Sequence, residues 1–224
     1  MNNPKPQKVY ENGNVPYAWN FDTLGISYFE IPKTGSSSTK TLLFNKNFGL
    51  DEEAKLDIAK GRLKHRFSEA TTKSFEPQDM LERILIIYRN PIARAKSVYR
   101  HVFLRMHRLE GAMSDYFENH FEDFLSKDPQ DSLYNHHKPM TWFFPSYFLD
   151  DPRTIFWETE KLDDLPAFLG LNASNEKSQT KMPHLLDMYR NAGNIDMTDD
   201  EIQLALGPAF DADFEFYEKA NRRV

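Results

Sequence analysis

Three short apolar runs along the chain predict β-strands. Residues 26–31 and 154–158 combine β-branched and aromatic side chains, a composition typical of strands. Residues 83–88 form the continuous run RILIIY, which is typical of a strand that is buried on both faces of a parallel sheet. Each run is followed by polar residues, so the pattern predicts three separate strands, each ending in a turn.

Helical patterns follow these strands. Residues 36–44 open with small hydroxyl side chains, which favour helix N-termini. Asn90 and Pro91 suit the N-cap and the first turn of a helix. Apolar side chains then recur at helical spacing, at Ala95, Val98, Tyr99, Val102, Phe103 and Met106. We also expect a short helix near residues 162–169 and two helices within residues 198–220.

The alternation of strands and helices predicts an α/β fold. We expect a P-loop-like three-layer architecture, in which helices flank a central, mainly parallel sheet. Residues 1–20 are rich in Pro and Asn and are predicted to be loosely ordered, and residues 21–224 are predicted to form a single domain. Ligands of such folds bind beyond the carboxyl ends of the strands, where Lys33 and Arg89 are expected.

Composition and charge exclude several classes of function. The 224 residues include no cysteine, which excludes disulfides, thiolate metal ligands and a cysteine nucleophile. Because no apolar stretch is long enough for a membrane anchor or signal peptide, we expect a soluble, cytoplasmic protein. The net charge is −6, which argues against nucleic-acid and anionic membrane partners. Residues 33–108, however, hold 16 basic and 8 acidic side chains, whereas the rest of the chain holds 12 basic and 26 acidic ones. An anionic ligand is therefore expected to bind to residues 33–108.

Residues 32–39, PKTGSSST, have the composition of a loop that binds phosphate. The N–H groups of a turn and a helix N-terminus can hold an anion, and Gly35 permits close approach. Lys33 adds a cation, and hydroxyl groups are supplied by Thr34, Ser36, Ser37, Ser38 and Thr39. An ordinary Ser-rich turn has the same pattern, so this segment alone leaves its function open. The ATP-binding motif requires a second glycine directly before its lysine, and that glycine is missing.

A second candidate anion site begins at Arg89. Asn90, Arg94 and Ser97 are spaced i, i+4, i+7, so we expect them to form a polar stripe that faces away from the core. Arg89 and Ser97 can bind one phosphate, the first as a guanidinium fork and the second as a hydroxyl donor. The alternative is a salt-bridged arginine and a surface serine. A kinase or ATPase would favour a magnesium-binding aspartate at this strand end, whereas an arginine favours an anion site without a metal.

These segments together resemble the sulfotransferase superfamily that uses 3′-phosphoadenylyl sulfate (PAPS), and more closely its carbohydrate-type, family 2-like branch. The resemblance is carried by IPKTGSSST, KHRFSEA and LIIYRNPIARAKSVY, in that order. It implies that residues 33–39 bind the 5′-phosphosulfate and that Arg89 and Ser97 bind the 3′-phosphate, with 3′-phosphoadenosine 5′-phosphate (PAP) as product and no metal. Ser36 and Ser37 replace the Gly-Thr of many members, and residues 181–184 precede a loop that lacks the usual Asn and Ser.

The resemblance also implies two catalytic residues. His65 would take the proton of the acceptor hydroxyl, a role that contributes roughly 10²- to 10⁴-fold in rate. Lys33 would stabilise the bridging oxygen of the leaving phosphate. Judged from its own segment alone, His65 would be interpreted as a surface histidine in a basic strand. Two rival functions remain open, a P-loop-type nucleotide-phosphate kinase and a PAP-binding module without catalysis.

The acceptor is only weakly constrained by the sequence. Aromatic side chains crowd residues 142–148, and we interpret them as core, although they could also stack on sugar rings. The acidic second half of the chain disfavours polyanionic acceptors. We therefore expect a hydroxyl group on a carbohydrate or a small alcohol, and the oligomeric state stays open.

Overall fold

A computed structural model describes residues 18–49, 71–72, 76–101, 111–127, 134–171 and 193–223. These residues divide into two compact units. The sheet unit comprises the described parts of residues 15–88 and 143–180, and the helical unit comprises those of residues 89–142 and 181–223. The prediction that residues 21–224 form a single domain stays a prediction.

A five-stranded sheet forms the centre of the sheet unit. Its strands are β1 (Ala18–Phe21), β2 (Ile26–Phe29), β3 (Thr71–Thr72), β4 (Arg83–Tyr88) and β5 (Thr154–Glu158). They lie in the order β3-β1-β2-β4-β5, and β2, β4 and β5 are parallel to one another. β1 is antiparallel to both of its neighbours. The predicted α/β fold with flanking helices is confirmed, whereas β1 and β3 are not evident from the sequence pattern.

Side chains from alternate positions of the strands cover the two faces of this sheet. On one face Tyr28, Leu85 and Ile87 pack with Leu43 and Phe44 of helix α1 (Ser36–Phe48). A short helix α5 (Leu165–Phe168), which follows a 3₁₀ turn (Thr159–Asp164), joins the same cluster through Leu165. On the other face Phe29 contacts the rings of Phe144 and Phe148. Residues Ile84 to Tyr88 are fully buried, as the continuous apolar run predicts.

The helical unit contains five α-helices within its described residues. They are α2 (Pro91–Val98), α3 (Met113–Asn119), α4 (Phe121–Ser126), α6 (Asp199–Leu206) and α7 (Asp211–Asn221). Their shared core is mostly aromatic and includes Tyr99, Tyr116, Phe117, Phe121, Phe124 and Phe210. The two C-terminal helices confirm the prediction for residues 198–220. Within the described ranges, no helix combines the length and the hydropathy that crossing a membrane requires.

Candidate functional site

The segment between β2 and α1 adopts a tight turn, Pro32–Gly35, in which two residues have left-handed backbone. Lys33 has a φ of 70° and Gly35 a φ of 80°. A positive φ is uncommon for a residue other than glycine and is characteristic of functional loops. The predicted turn is confirmed, and its role in binding phosphate stays a prediction. The left-handed backbone is less favourable at Lys33 than at Gly35, because only lysine has a β-carbon.

Contacts within the sheet unit explain why position 35 is a glycine. A β-carbon on Gly35 would overlap the Cδ1 atom of Leu162, and it would also lie 3.7 Å from Cγ2 of Thr159. Both neighbours belong to the 3₁₀ turn after β5. The φ of 80° is the stronger reason for a glycine here, because the end of the Leu162 side chain can move to make room for a β-carbon.

The hydroxyl groups of the loop divide into two sets. Thr34 is buried and donates a hydrogen bond to the carbonyl oxygen of Ile31, over 2.9 Å. Thr39 is also buried and donates to the carbonyl oxygen of Gly35, over 3.2 Å. These two hydroxyls stabilise the loop itself. Ser37 and Ser38 are exposed, and Ser36 is half-buried.

The N-terminus of α1 has no side-chain cap. Gly35 occupies the N-cap position and has no side chain that could accept a hydrogen bond from the first turn. The N–H groups of the first turn, at residues 36–38, cannot form intrahelical hydrogen bonds and carry the positive end of the helix dipole. Such a helix start can bind an anion, and Lys33 adds a positive charge to the same turn.

A polar cluster lies where β2 meets α1. The carboxylate of Glu30 accepts hydrogen bonds from Nζ of Lys40, over 2.5 Å, and from Nε1 of Trp19, over 3.0 Å. Tyr28 is fully buried beside Thr39, and burial together with the charge of Glu30 raises its pKa well above the usual range. The Tyr28 phenol therefore stays protonated. The sequence pattern does not single out Glu30 or Lys40, because their pairing depends on the turn between them.

Arg89 directly follows the last residue of β4. The carbonyl oxygen of Tyr88 accepts a hydrogen bond from Oγ1 of Thr159, over 2.9 Å, which fixes this strand end. Because β2 and β4 are parallel neighbours, both strands end at the same edge of the sheet. Arg89 itself is half-buried.

Helix α2 begins as the sequence predicts. The side chain of Asn90 accepts hydrogen bonds from the N–H groups of Ile92 and Ala93, at 2.9 and 3.1 Å, and Pro91 occupies the first turn. Ser97 lies two turns further on and is half-buried. The N-cap prediction is confirmed, and the roles of Arg89 and Ser97 stay predictions.

The expectation that Arg94 faces away from the core is wrong. Arg94 is 2% exposed, and its guanidinium donates to the carbonyl oxygens of Lys138, over 2.8 Å, and His136, over 3.2 Å. Burial lowers the pKa of Arg94 to about 10, and the charge of Asp213 opposes that change. Arg94 is therefore a buried cation that ties α2 to residues 136–138 of the helical unit.

Asp213 on α7 is the acidic counterpart of Arg94. It is fully buried and accepts hydrogen bonds from the N–H groups of Met140 and Thr141 and from the hydroxyl of Thr141, at 2.6, 2.9 and 2.9 Å. Burial raises its pKa, while Arg94 and these donors act in the opposite direction. Asp213 thus fixes the turn at residues 140–142 to α7.

Several predicted features lie outside the described residues. They are His65, the predicted base, with the rest of KHRFSEA, the predicted helical positions Val102, Phe103 and Met106, and residues 181–184. Of the aromatic segment at residues 142–148, Phe143, Phe144 and Phe148 are buried, which agrees with their interpretation as core. Among the residues that the structure describes, no group of three His, Asp or Glu side chains is placed to hold a metal ion.

Comparison with known proteins identifies one family. Residues 17–219, most of the chain, match the family model described as Sulfotransferase family. No curated protein and no solved structure matches the chain.

Proposed function

Because the chain belongs to the sulfotransferase family, and is thereby a PAPS-dependent sulfotransferase, we propose that it transfers the sulfuryl group to a hydroxyl group of a carbohydrate or small alcohol. The observation that carries the proposal is the uncapped N-terminus of α1, which follows a left-handed lysine at the carboxyl end of a parallel strand. Such a helix start suits the 5′-phosphosulfate of the donor.

PAPS carries a 3′-phosphate at one end and a 5′-phosphosulfate at the other. Its binding site therefore requires two sets of positive groups. The first set consists of Lys33 and the backbone N–H groups of residues 34–38. The second set consists of Arg89 and Ser97, which would bind the 3′-phosphate through charge-assisted hydrogen bonds. These residue types fit the two groups of the donor, and the excess of basic side chains in residues 33–108 supports the proposal.

The reaction is an in-line displacement at sulfur. The acceptor oxygen forms a bond to sulfur while the bond from sulfur to the bridging phosphate oxygen breaks, and PAP leaves with that electron pair. His65 takes the proton of the acceptor hydroxyl. Lys33 stabilises the negative charge that develops on the bridging oxygen. The charges come from the protein, so the step needs no metal ion.

The acceptor proposal rests on charge. Residues outside 33–108 hold 26 acidic and 12 basic side chains, and such an excess disfavours a heavily sulfated acceptor. A neutral saccharide or a small alcohol avoids this repulsion, and it presents the hydroxyl group that the base requires.

Transfer of radiolabelled sulfate tests the proposal. The protein is incubated with labelled PAPS and, separately, with neutral oligosaccharides, small alcohols and a polysulfated glycan. We expect label on a neutral acceptor together with an equal amount of PAP, and little transfer by His65→Ala. PAPS binding without transfer to any acceptor would support the binding-module alternative and contradict the proposal.

A further inference from the structure

Glu30 lies directly after β2, and its carboxylate is held from two sides. Lys40 of α1 donates to Oε1 and Trp19 of β1 donates to Oε2. One carboxylate therefore joins three elements of the sheet unit. The side chains of Lys40 and Glu30 are only 11% and 24% exposed, so water and salt screen their attraction less than that of a surface pair.

This ion pair joins the two ends of the loop between β2 and α1, which is the proposed binding site of the 5′-phosphosulfate. Residues 31–39 lie between its two members, and they include the left-handed Lys33 and Gly35. A left-handed lysine persists only where surrounding contacts hold it. The Glu30–Lys40 pair closes the ends of the segment and is one such contact.

The first turns of α1 are attached to the sheet neither by an N-cap side chain nor by buried apolar residues. A helix that binds an anion must leave its first N–H groups to the ligand, so a side-chain cap is ruled out there. In α1 the buried apolar residues begin only at Leu43, and the buried residues before it are Thr39 and Lys40. The ion pair therefore attaches the first turns of α1 to the sheet without using the N–H groups that face an anion.

We propose that Glu30 and Lys40 are positioning residues for the 5′-phosphosulfate of the donor, an inference that rests on the proposed function. The pair holds the loop in its binding conformation, and neither side chain needs to contact the donor. A carboxylate that acted on the donor only by its charge would repel it. The two roles predict opposite changes in donor affinity when the charge of Glu30 is removed. If Glu30 positions the loop, the affinity falls; if Glu30 only repels the donor, the affinity rises.

Calorimetry with two nucleotides separates positioning from general stability. PAP carries the 5′-phosphate that the loop would bind, and adenosine 3′-phosphate lacks it. We expect Glu30→Gln to weaken PAP binding about tenfold, the scale of a lost charge-assisted hydrogen bond. Binding of adenosine 3′-phosphate should change by less than about twofold, since its 3′-phosphate is bound elsewhere.

Two variants of Lys40 complete the test. Lys40→Arg keeps the charge and should retain most of the PAP affinity. Lys40→Met leaves the Glu30 carboxylate without its cation close to the loop, so it should weaken PAP binding more than Glu30→Gln does.

Asp151→Asn serves as the matched control. Asp151 pairs with Arg153 over 2.7 Å, and their side chains are 12% and 31% exposed, which resembles the burial of the Glu30–Lys40 pair. This pair lies just before β5, at the opposite end of the parallel strands from the loop, so its loss should leave PAP binding unchanged.

Three results would overturn the inference. Unchanged or tighter PAP binding by Glu30→Gln would exclude positioning, and an equal loss for both nucleotides would indicate a general structural defect. Failure of the wild-type protein to bind PAP would instead refute the donor assignment, and the inference with it.

Discussion

The side chain of Leu162 occupies the space that a β-carbon on Gly35 would need. Leu162 belongs to the 3₁₀ turn after β5, and Thr159 of the same turn also donates to the carbonyl oxygen of Tyr88. One turn thus contacts both the loop between β2 and α1 and the strand end that leads to Arg89. The geometry of the proposed donor site depends on this turn as well as on the residues that bind the donor.

Gly35→Ala should weaken PAP binding by about tenfold, since left-handed backbone within the loop costs alanine about 1–2 kcal/mol and the added methyl group must displace the side chain of Leu162. Gly49→Ala is the matched control. Gly49 has a φ of 65°, close to that of Gly35, but a β-carbon there meets nothing within 4 Å. Both variants should lose some stability from the left-handed backbone, and calorimetry should show weaker PAP binding only for Gly35→Ala. Similar affinities for the two variants would argue against close packing of the loop.

Lys33→Ala should reduce sulfuryl transfer by at least about 100-fold, because the charge on the bridging oxygen develops in the transition state. The thermal unfolding temperature should hardly change, since alanine has the same β-carbon and meets the same left-handed backbone. Lys46→Ala removes a lysine from the last turn of α1, at the end of the helix far from the loop, and should retain full activity. Retention of most of the transfer rate by Lys33→Ala would rule out the proposed role.

Arg89→Ala should weaken PAP binding by about 1.5–3 kcal/mol, the range for hydrogen bonds to charged groups. The loss should be specific for the 3′-phosphate, so the affinity for adenosine 5′-phosphate should stay within about twofold of the wild-type value. Isothermal titration with both nucleotides measures the difference. Equal PAP affinities of the variant and the wild-type protein would remove Arg89 from the donor site.

Arg94→Met should destabilise the protein by about 3–5 kcal/mol, because it leaves the buried carboxylate of Asp213 without its cation. The free energy of unfolding of this variant should also depend on pH differently from that of the wild-type protein. Burial raises the pKa of Asp213 in the folded protein, so its contribution to stability is present at low pH and is lost as the pH rises through the folded pKa.

Loss of the Arg94 charge raises the pKa of Asp213 further, which extends this dependence to higher pH. The free energy of unfolding of Arg94→Met, relative to wild type, should therefore fall as the pH increases from about 4 to 7. Lys96→Met removes a lysine whose partner, Asp199, is 66% exposed, and it should show little effect. A difference between Arg94→Met and wild type that does not vary with pH would contradict the assigned cause.

The strands and the loops that follow them could be predicted because their signals are local. Residues 84–87 are all apolar, and Asn90-Pro91 is a helix-start signal made of neighbouring residues. β1 and β3 are only four and two residues long, so neither is long enough to show a clear alternation, and β3 pairs with β1 from a distant part of the chain.

Arg94 shows that the spacing of residues along a helix does not by itself predict which of them are buried. Helical periodicity places it on one stripe with Asn90 and Ser97, but whether that stripe faces water depends on residues 136–138, more than forty positions later in the chain. Glu30 and Lys40 illustrate the same limit over ten positions, since their contact exists only after the turn between them has formed. Motifs made of neighbouring residues are visible in the sequence, whereas partners brought together by folding are not.

Binding of PAP in the presence of a chelator is the most direct test of the account. Isothermal titration calorimetry would compare PAP with EDTA against ATP with magnesium, on the full chain. We predict that PAP binds with a stoichiometry of one and at least about 100-fold more tightly than ATP, because two sets of protein cations bind its two phosphates. Tighter binding of ATP with magnesium, or PAP binding that requires the metal, would contradict the proposed donor site.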